Sequence, residues 1–278
     1  MSECASKGSC GKESCEGCPS NSAAKKTDFL VSINGHSSVK QVIGVVSGKG
    51  GVGKSSVTSL LASAIAKTGR TVGIMDADIT GPSIPKMFGV KGPVVGNGQE
   101  MAPIEAENGV RIMSMNLLLD DEDAPVIWRG PVIAGVVKQF WTDTVWGDLD
   151  VMLVDMPPGT GDVPLTVFQS LPLAGVVMVT SPQDLVSMVV KKAMTMADKM
   201  DVPVLGVVEN YSYFKCPDCG KEHKIFGESN IAEIADDLGT QLIGRLPINP
   251  EIAKLADEGR IFDAEIPEMD EIVKAVLS

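Results

Sequence analysis

Apolar positions along the chain fall into two recurring patterns. Short stretches dominated by apolar residues occur at 41–47, 71–75, 111–115, 151–154, 175–180, 203–208 and 241–243. Runs of that length without polar alternation predict strands buried on both faces. Between them, apolar residues recur at helical spacing. Over 55–67, Val57, Leu60, Leu61, Ala64 and Ile65 share one face, and Gly69 suits the position just past the end. The same spacing predicts helices over 132–140, 185–200, 250–258 and 269–277. Strands alternating with helices argue for a parallel sheet joined by right-handed crossovers. The expected fold is one doubly wound α/β domain with a mainly parallel sheet of about seven or eight strands. The Gly- and Pro-rich stretch 89–103 reads as a loop or small hairpin within it. Toward the N-terminus the periodicity fades. Residues 1–38, rich in Ser, Gly, Lys and Cys, are expected to form a flexible tail ahead of a domain at 39–278.

Composition narrows the functional classes. Aromatics make up only 4% of the chain, so the core must rest on Val, Ile, Leu, Met and Ala. Formal net charge is −12, and no run of Lys or Arg exceeds two. Such a surface repels nucleic-acid phosphates and anionic membranes, so neither is an expected partner. The N-terminus lacks the apolar stretch of a signal peptide, and no apolar run approaches the ~18 residues of a membrane span. A cytoplasmic location is expected. There, six cysteines suit metal binding or redox chemistry better than disulfides.

Candidate chemistry begins at Gly48-Lys49-Gly50-Gly51-Val52-Gly53-Lys54-Ser55, followed by Ser56. The run matches G-x-x-x-x-G-K-S/T and lies between a predicted strand and a predicted helix, the context that such a phosphate loop requires. Glycines let successive backbone N–H groups curl toward phosphate oxygens, and the helix N-terminus adds its positive end. Lys54 supplies a charge for the β- and γ-phosphates, and the Ser55 hydroxyl suits Mg²⁺. The second lysine, Lys49, makes the run GKGGVGKS. In this it resembles the deviant Walker A class of P-loop NTPases. That class takes in MinD- and ParA-like positioning ATPases, nitrogenase-type reductases and the Mrp-type (ApbC-like) iron–sulfur cluster carriers. The resemblance implies an ATP-linked homodimer in which Lys49 reaches the partner's nucleotide.

Two carboxylate-bearing segments follow strand ends. Asp76-Ala77-Asp78-Ile79-Thr80-Gly81-Pro82-Ser83 closes the strand at 71–75, and alternation lets Asp76 and Asp78 face the same way. One can hold Mg²⁺ and the other orient the attacking water. By resemblance to the family's switch I, Asp76 is taken for the metal and Asp78 for the water. Asp155 ends the run Val151-Met152-Leu153-Val154 and opens Met156-Pro157-Pro158-Gly159-Thr160-Gly161-Asp162, which resembles a Walker B strand with a switch II loop. Asp155 is the second expected Mg²⁺ carboxylate. Asn210, after the strand at 203–208, has an amide suited to an adenine edge, and the family carries an Asn at the matching place. Arg245-Leu246-Pro247 resembles the family's adenine-side loop.

The cysteines separate readings that the phosphate loop cannot. Cys216-Pro217-Asp218-Cys219 is expected in a polar loop between strand and helix. Two thiolates fill half of a four-ligand centre, and a two-fold dimer would complete it. Zinc on Cys216, Cys219 and His223 also fits the spacing, and a redox dithiol is a further reading. The stretch CPDCGKEHKIFG resembles the carriers, where this pair bridges a 4Fe–4S cluster between subunits. Cys4, Cys10, Cys15 and Cys18 are candidates for a second cluster, although their spacing departs from the four-cysteine motif of eukaryotic relatives. Two functions result. One is an ATP-dependent carrier or scaffold that passes a 4Fe–4S cluster to apo iron–sulfur proteins. The other is a MinD- or ParA-like positioning ATPase with a structural zinc site. The acidic C-terminus, with Glu268, Asp270 and Glu271 against Lys274, speaks against a membrane-surface helix.

Overall fold

The computed structural model describes residues 30–79, 81, 83–119, 130–182 and 186–278, with the backbone alone at 130, 131 and 186–189. Its first half contains β1 (Ser38–Ser47), α1 (Lys54–Lys67), β2 (Val72–Asp76), α2 (Ile84–Met87), β3 (Ile104–Glu105), β4 (Arg111–Met113), α3 (Gly130–Thr142) and β5 (Asp148–Asp155). The second half adds α4 (Asp162–Ser170), β6 (Leu173–Thr180), α5 (Val186–Lys199), β7 (Val204–Lys215), β8 (Glu222–His223), α6 (Ile231–Asp237), β9 (Leu242–Ile248), α7 (Pro250–Asp257) and α8 (Met269–Leu277).

One sheet runs in the order β3-β4-β2-β5-β1-β6-β7, with β8 and β9 both paired to β7. Seven strands are mutually parallel, and the two-residue β3 and β8 are antiparallel additions. The expected doubly wound, mainly parallel sheet is therefore present. Its strands are buried on both sides because each feeds two cores. Val42, Val46, Met152 and Val154 point to a layer built from α3, α4, α5 and α6, with Phe140 and Trp146 at its centre. Ile43, Val45, Val151 and Leu153 point the other way, to Leu61 and Ile65 of α1 and Ile272 of α8. Period-two alternation thus sends an unbroken apolar run to opposite faces, as expected where helices cover both.

Several boundaries differ from the sequence reading. The strand expected at 203–208 runs on to Lys215 as β7, past a register irregularity between Glu209 and Tyr213 where Tyr211 has φ +59°. β9 extends to Ile248, so Arg245–Pro247 lies within a strand rather than after one. β4 ends at Met113, and a 3-10 turn occupies Met115–Leu118. Helix α4 was not expected. Its Val163, Val167 and Phe168 carry helical spacing, but the element is short and sits directly behind the Gly-rich loop. Packing also begins before residue 39. The Val31 N–H donates to the Ser170 carbonyl, and Trp141 Nε1 donates to the Val31 carbonyl, each at 2.9 Å. No helix among the described residues is long and apolar enough to cross a membrane. Cys4, Cys10, Cys15 and Cys18 lie outside the described residues, as do Thr80 and Pro82 of the segment after β2.

Candidate functional site

The loop between β1 and α1 is formed by Gly48 to Gly53. Gly51 and Gly53 have φ +82° and +77°, left-handed values that side chains resist. Gly53 stands at the N-cap of α1 and offers no side-chain cap; the first turn holds no acidic residue. The first N–H groups of a well-packed helix therefore face the loop with its positive end, a setting suited to an anion. A pocket of about 220 Å³ lies there, lined by Lys49 to Ser56 with Ser47, Asp78 and Pro158 among its walls. Ser47 Oγ donates to the Lys49 carbonyl at 3.1 Å, and the Gly159 N–H donates to the Ser47 carbonyl at 2.8 Å. The loop after β5 is thereby tied to the start of the phosphate loop.

Gly53 is also fixed by crowding. A Cβ there would lie 2.2 Å from Asn210 Nδ2 and 2.7 Å from the Tyr211 hydroxyl. Asn210 Nδ2 donates to the Val52 carbonyl at 2.9 Å. The bulge in β7 thus seats Asn210 and Tyr211 directly against the phosphate loop. Gly53→Ala is expected to cost about 2 kcal/mol, from left-handed strain plus displacement of these two side chains. Chemical denaturation would read the loss; a change under about 0.5 kcal/mol would contradict the crowding argument.

Behind the loop lies a buried charge cluster. Asp76 and Asp155 are register partners at the ends of β2 and β5, and each is 1% exposed or less. Lys54 Nζ is 2.7 Å from Asp155 Oδ2 and 3.9 Å from Asp78 Oδ2. Ser55 Oγ donates to Asp155 Oδ2 at 2.6 Å, and Thr58 Oγ1 donates to Asp155 Oδ1 at 2.7 Å. Ser114 Oγ donates to Asp76 Oδ2 at 3.0 Å, and the Asp78 N–H donates to Asp76 Oδ1 at 3.2 Å. Lys54, Ser55, Asp76, Asp78 and Asp155 meet at one point, although Ser55 and Asp155 stand 100 residues apart in sequence. Thr58 and Ser114 were not singled out from sequence. Thr58 is four residues past Lys54 on the same helical face, which is a usable signal; Ser114 follows the end of β4, where ligand-side residues collect.

Burial pushes the Asp76 carboxyl up to about 8, and the nearby Asp155 charge adds to the rise against the opposing pull of Ser114 and Lys54. The unfolded carboxyl loses its proton near pH 3.8. Between those values the folded chain holds a proton that the unfolded chain has released, so this group's contribution to stability declines as pH rises from about 4 to about 8. Asp76→Asn has no proton to lose. In magnesium-free buffer its stability relative to the parent chain is expected to rise from pH 5 to pH 8. Urea unfolding of both at the two pH values tests this; a difference that stays constant with pH would contradict the buried proton.

The donor set suits Mg²⁺. This ion takes one or two carboxylates and a hydroxyl, keeps several waters, and shares phosphate oxygens. Ser55 Oγ and Asp155 already converge, with Asp76 alongside.

The second constellation lies further along β7. Cys216 and Cys219 occupy the turn of a hairpin that pairs Phe214 with His223 and Lys215 with Glu222. The sequence reading placed them between strand and helix; the turn instead returns through β8 before α6. The Cys216 N–H donates to the Lys221 carbonyl at 3.0 Å, and the Gly220 N–H to the Cys216 carbonyl at 2.8 Å. Backbone N–H groups of Cys219 and Asp218, then the Cys219 thiol, lower the Cys216 thiol below its usual value. Cys216 is half-buried and Cys219 exposed, and both are free thiols. Among the described residues, no three His, Cys, Asp or Glu side chains are placed to hold a metal. His223 is therefore not gathered with the two thiols into a zinc site, because its strand pairing sets it beside Phe214.

A further buried group sits between the two constellations. Glu209 accepts from Ser212 Oγ at 2.5 Å, from Arg245 Nε at 3.1 Å, and from Ser229 Oγ. Arg245 thus pairs with a buried carboxylate of the neighbouring strand. Nothing along the chain marks Glu209, whose partners from β7, β9 and the segment before α6 meet only in the fold.

A phosphate loop at the head of a parallel sheet, backed by a lysine, a hydroxyl and strand-end carboxylates, defines a P-loop NTPase of the α/β class. Residues 38–277 match the family model ParA, described as NUBPL iron-transfer P-loop NTPase, and the chain belongs to that family. It is 47% identical over 265 residues to a Clostridium perfringens protein named iron–sulfur cluster carrier protein, spanning 92% of this chain and 91% of that one. Among solved structures, it resembles a nucleotide-binding protein from Archaeoglobus fulgidus, in complex with ADP and with cobalt. The TM-score is 0.76 at 43% identity, over 84% of this chain and 92% of that one. The cell division ATPase MinD of Pyrococcus furiosus shares the fold, with TM-score 0.64 at 20% identity over 86% of this chain and 98% of that one.

Proposed function

We propose that this chain is an ATP-binding and ATP-hydrolysing carrier that holds a 4Fe–4S cluster as cargo and passes it to apo iron–sulfur proteins. The observation that carries the reading is β7 itself. Near its middle, Asn210 is hydrogen-bonded to the phosphate loop, and just past its end stand Cys216 and Cys219. A positioning ATPase has no need of a two-thiol turn on the strand that touches its nucleotide loop. The curated relative's name and the family description support the same choice.

In this reading Gly48 to Gly53 and Ser56 wrap the phosphates with backbone N–H groups. Lys54 leaves Asp155 for the β- and γ-phosphates. Ser55, Asp76 and Asp155 hold Mg²⁺, which when bound neutralises phosphate charge. Asp78 orients the attacking water. Asn210 exchanges its contact with Val52 for the base edge. Each side chain is in or beside the same pocket, so each exchange needs a rotamer change and no rearrangement of the sheet. Asp76, with its raised affinity for a proton, must ionise as the cation arrives, so Mg²⁺ binding releases protons below about pH 8.

Two chains form the working unit. Cys216 and Cys219 supply two ligands, and a two-fold partner supplies two more. Lys49 reaches the partner's nucleotide from the edge of its own loop. Lys49→Ala is expected to retain ADP affinity within about threefold while ATP turnover falls about a hundredfold. Equilibrium binding and phosphate release measure the two; turnover equal to the parent chain would remove Lys49 from the mechanism. The reading as a whole is tested by anaerobic reconstitution with iron and sulfide, followed by incubation with an apo-ferredoxin. Iron and sulfide near four per dimer, and activation of the acceptor, are expected. A colourless, zinc-loaded protein would favour the structural-metal reading instead.

A further inference from the structure

We infer that Thr58 is the positioning residue that keeps Asp155 aimed at the cation once the nucleotide is bound. The inference rests on the reading of Asp155 as a magnesium carboxylate. It adds a residue that lies behind the phosphate-loop pocket rather than in its wall. Thr58 stands one turn past Lys54 on α1. Helical side chains lean back toward the N-terminus, so its hydroxyl reaches under the loop. Thr58 and Asp155 are both fully buried. Thr58 Oγ1 is 2.7 Å from Asp155 Oδ1 and 3.0 Å from the Lys54 carbonyl. The hydroxyl has one proton for two acceptors, and the nearer, charged carboxylate takes it.

The two oxygens of Asp155 are held by different groups. Oδ2 is shared by Ser55 Oγ at 2.6 Å and Lys54 Nζ at 2.7 Å, and both residues line the pocket. Oδ1 belongs to Thr58. In the proposed function Lys54 leaves for the phosphates and Ser55 turns to Mg²⁺, so both partners of Oδ2 are given up. Thr58 has no such second task. Its hydrogen bond restrains the carboxylate torsion, which by itself has broad wells, and leaves Oδ2 turned toward the site. A carboxylate that has to be ordered as the ion binds costs affinity. Outer partners of metal-binding carboxylates are accordingly worth about ten- to a hundredfold in metal affinity. Without nucleotide the role is masked, because Ser55 and Lys54 also hold Asp155 there.

The test measures the affinity of the full chain for a non-hydrolysable ATP analogue, once with Mg²⁺ and once with the metal chelated. The ratio of the two affinities is the readout. Thr58→Val keeps the side-chain shape and removes the proton. Its metal-free affinity is expected to stay within about twofold of the parent's, which also shows that the fold survives, while the ratio falls about tenfold. Thr58→Ala, which brings no extra methyl group to the carboxylate, should lose the ratio equally. Thr58→Ser, which keeps the hydroxyl, should retain it. A parental ratio in both hydroxyl-free variants overturns the inference. So does a loss shared by Thr58→Ser or confined to Thr58→Val, since either assigns Thr58 to packing of α1. Asp155→Asn separates the inference from the reading beneath it. If Asp155→Asn loses the ratio and the hydroxyl-free variants keep it, the magnesium reading stands and the inference falls. If Asp155→Asn keeps the parental ratio, both fall.

Discussion

Lys54→Ala is expected to lower ATP turnover by about a hundred- to a thousandfold. The expectation comes from where the ammonium sits. Lys54 is 6% exposed, 2.7 Å from Asp155 and 3.9 Å from Asp78, at the mouth of the helix that closes the phosphate loop. Lys54 is the buried cation paired with Asp155, and alanine removes that counter-charge. The cost is also structural. Removing one partner of a buried ion pair destabilises by about 3 kcal/mol or more, because the remaining charge stays buried. Lys54 pulls the Asp76 carboxyl down, so its loss raises the pH at which Asp76 gives up its proton. The variant should therefore lose most stability at the alkaline end of the range, in magnesium-free buffer. Phosphate release, with urea unfolding at pH 7 and pH 9, checks both halves. Parental turnover would remove Lys54 from the site. A stability loss that did not grow with pH would say that Asp76 does not share its charge environment.

The second large effect concerns the hairpin. Cys216→Ala or Cys219→Ala each removes two of the four thiols in a dimer, and iron and sulfide uptake at this site is expected to fall below about a tenth of the parent's. ADP affinity should not change, because neither cysteine lines the phosphate-loop pocket. Cys216 has its thiol lowered by the N–H groups of Cys219 and Asp218, which favours the thiolate that metal binding requires. Iron, sulfide and visible absorbance after anaerobic reconstitution measure the uptake. Full cluster retention in both variants would remove the turn from the cluster site.

One strand joins the phosphate loop to the cysteine turn. β7 carries Asn210 against Val52, the Glu209 cluster with Ser212, Ser229 and Arg245, and then the cysteine turn. Its irregularity at Tyr211 gives the strand a bend between these groups.

The phosphate loop was legible in the chain itself, because its chemistry is local. A Gly-rich run followed by Lys-Ser needs only the strand before it and the helix after it, and periodicity reveals both. Asp155 was legible for the same reason, as the residue that ends an unbroken apolar strand. Asp76 and Asp78 were legible as strand-end carboxylates, but not in their division of labour. Only the parallel pairing of β2 with β5 sets Asp76 directly beside Asp155, and only full burial there makes its proton hard to remove.

Strand ends near Asn210 and Arg245 were misjudged because polar residues interrupt the apolar runs. Glu209, Asn210 and Arg245 look like loop residues in one dimension. In the fold they stay in strands, since each polar group meets a partner across β7, β9 or the phosphate loop. The hairpin at Cys216 was misjudged likewise: two-residue β8 is too short to show a period, and its backbone pairing exists only because β7 continues past the end of its pairing with β6. The sequence by itself determined the alternating α/β order, the phosphate loop and the two-thiol motif, all of which depend on neighbours along the chain. Tertiary structure alone decided which carboxylates share a charge, how Asn210 meets Val52, and that the thiols sit on a hairpin turn. Those depend on register between strands far apart in sequence, which no local pattern encodes.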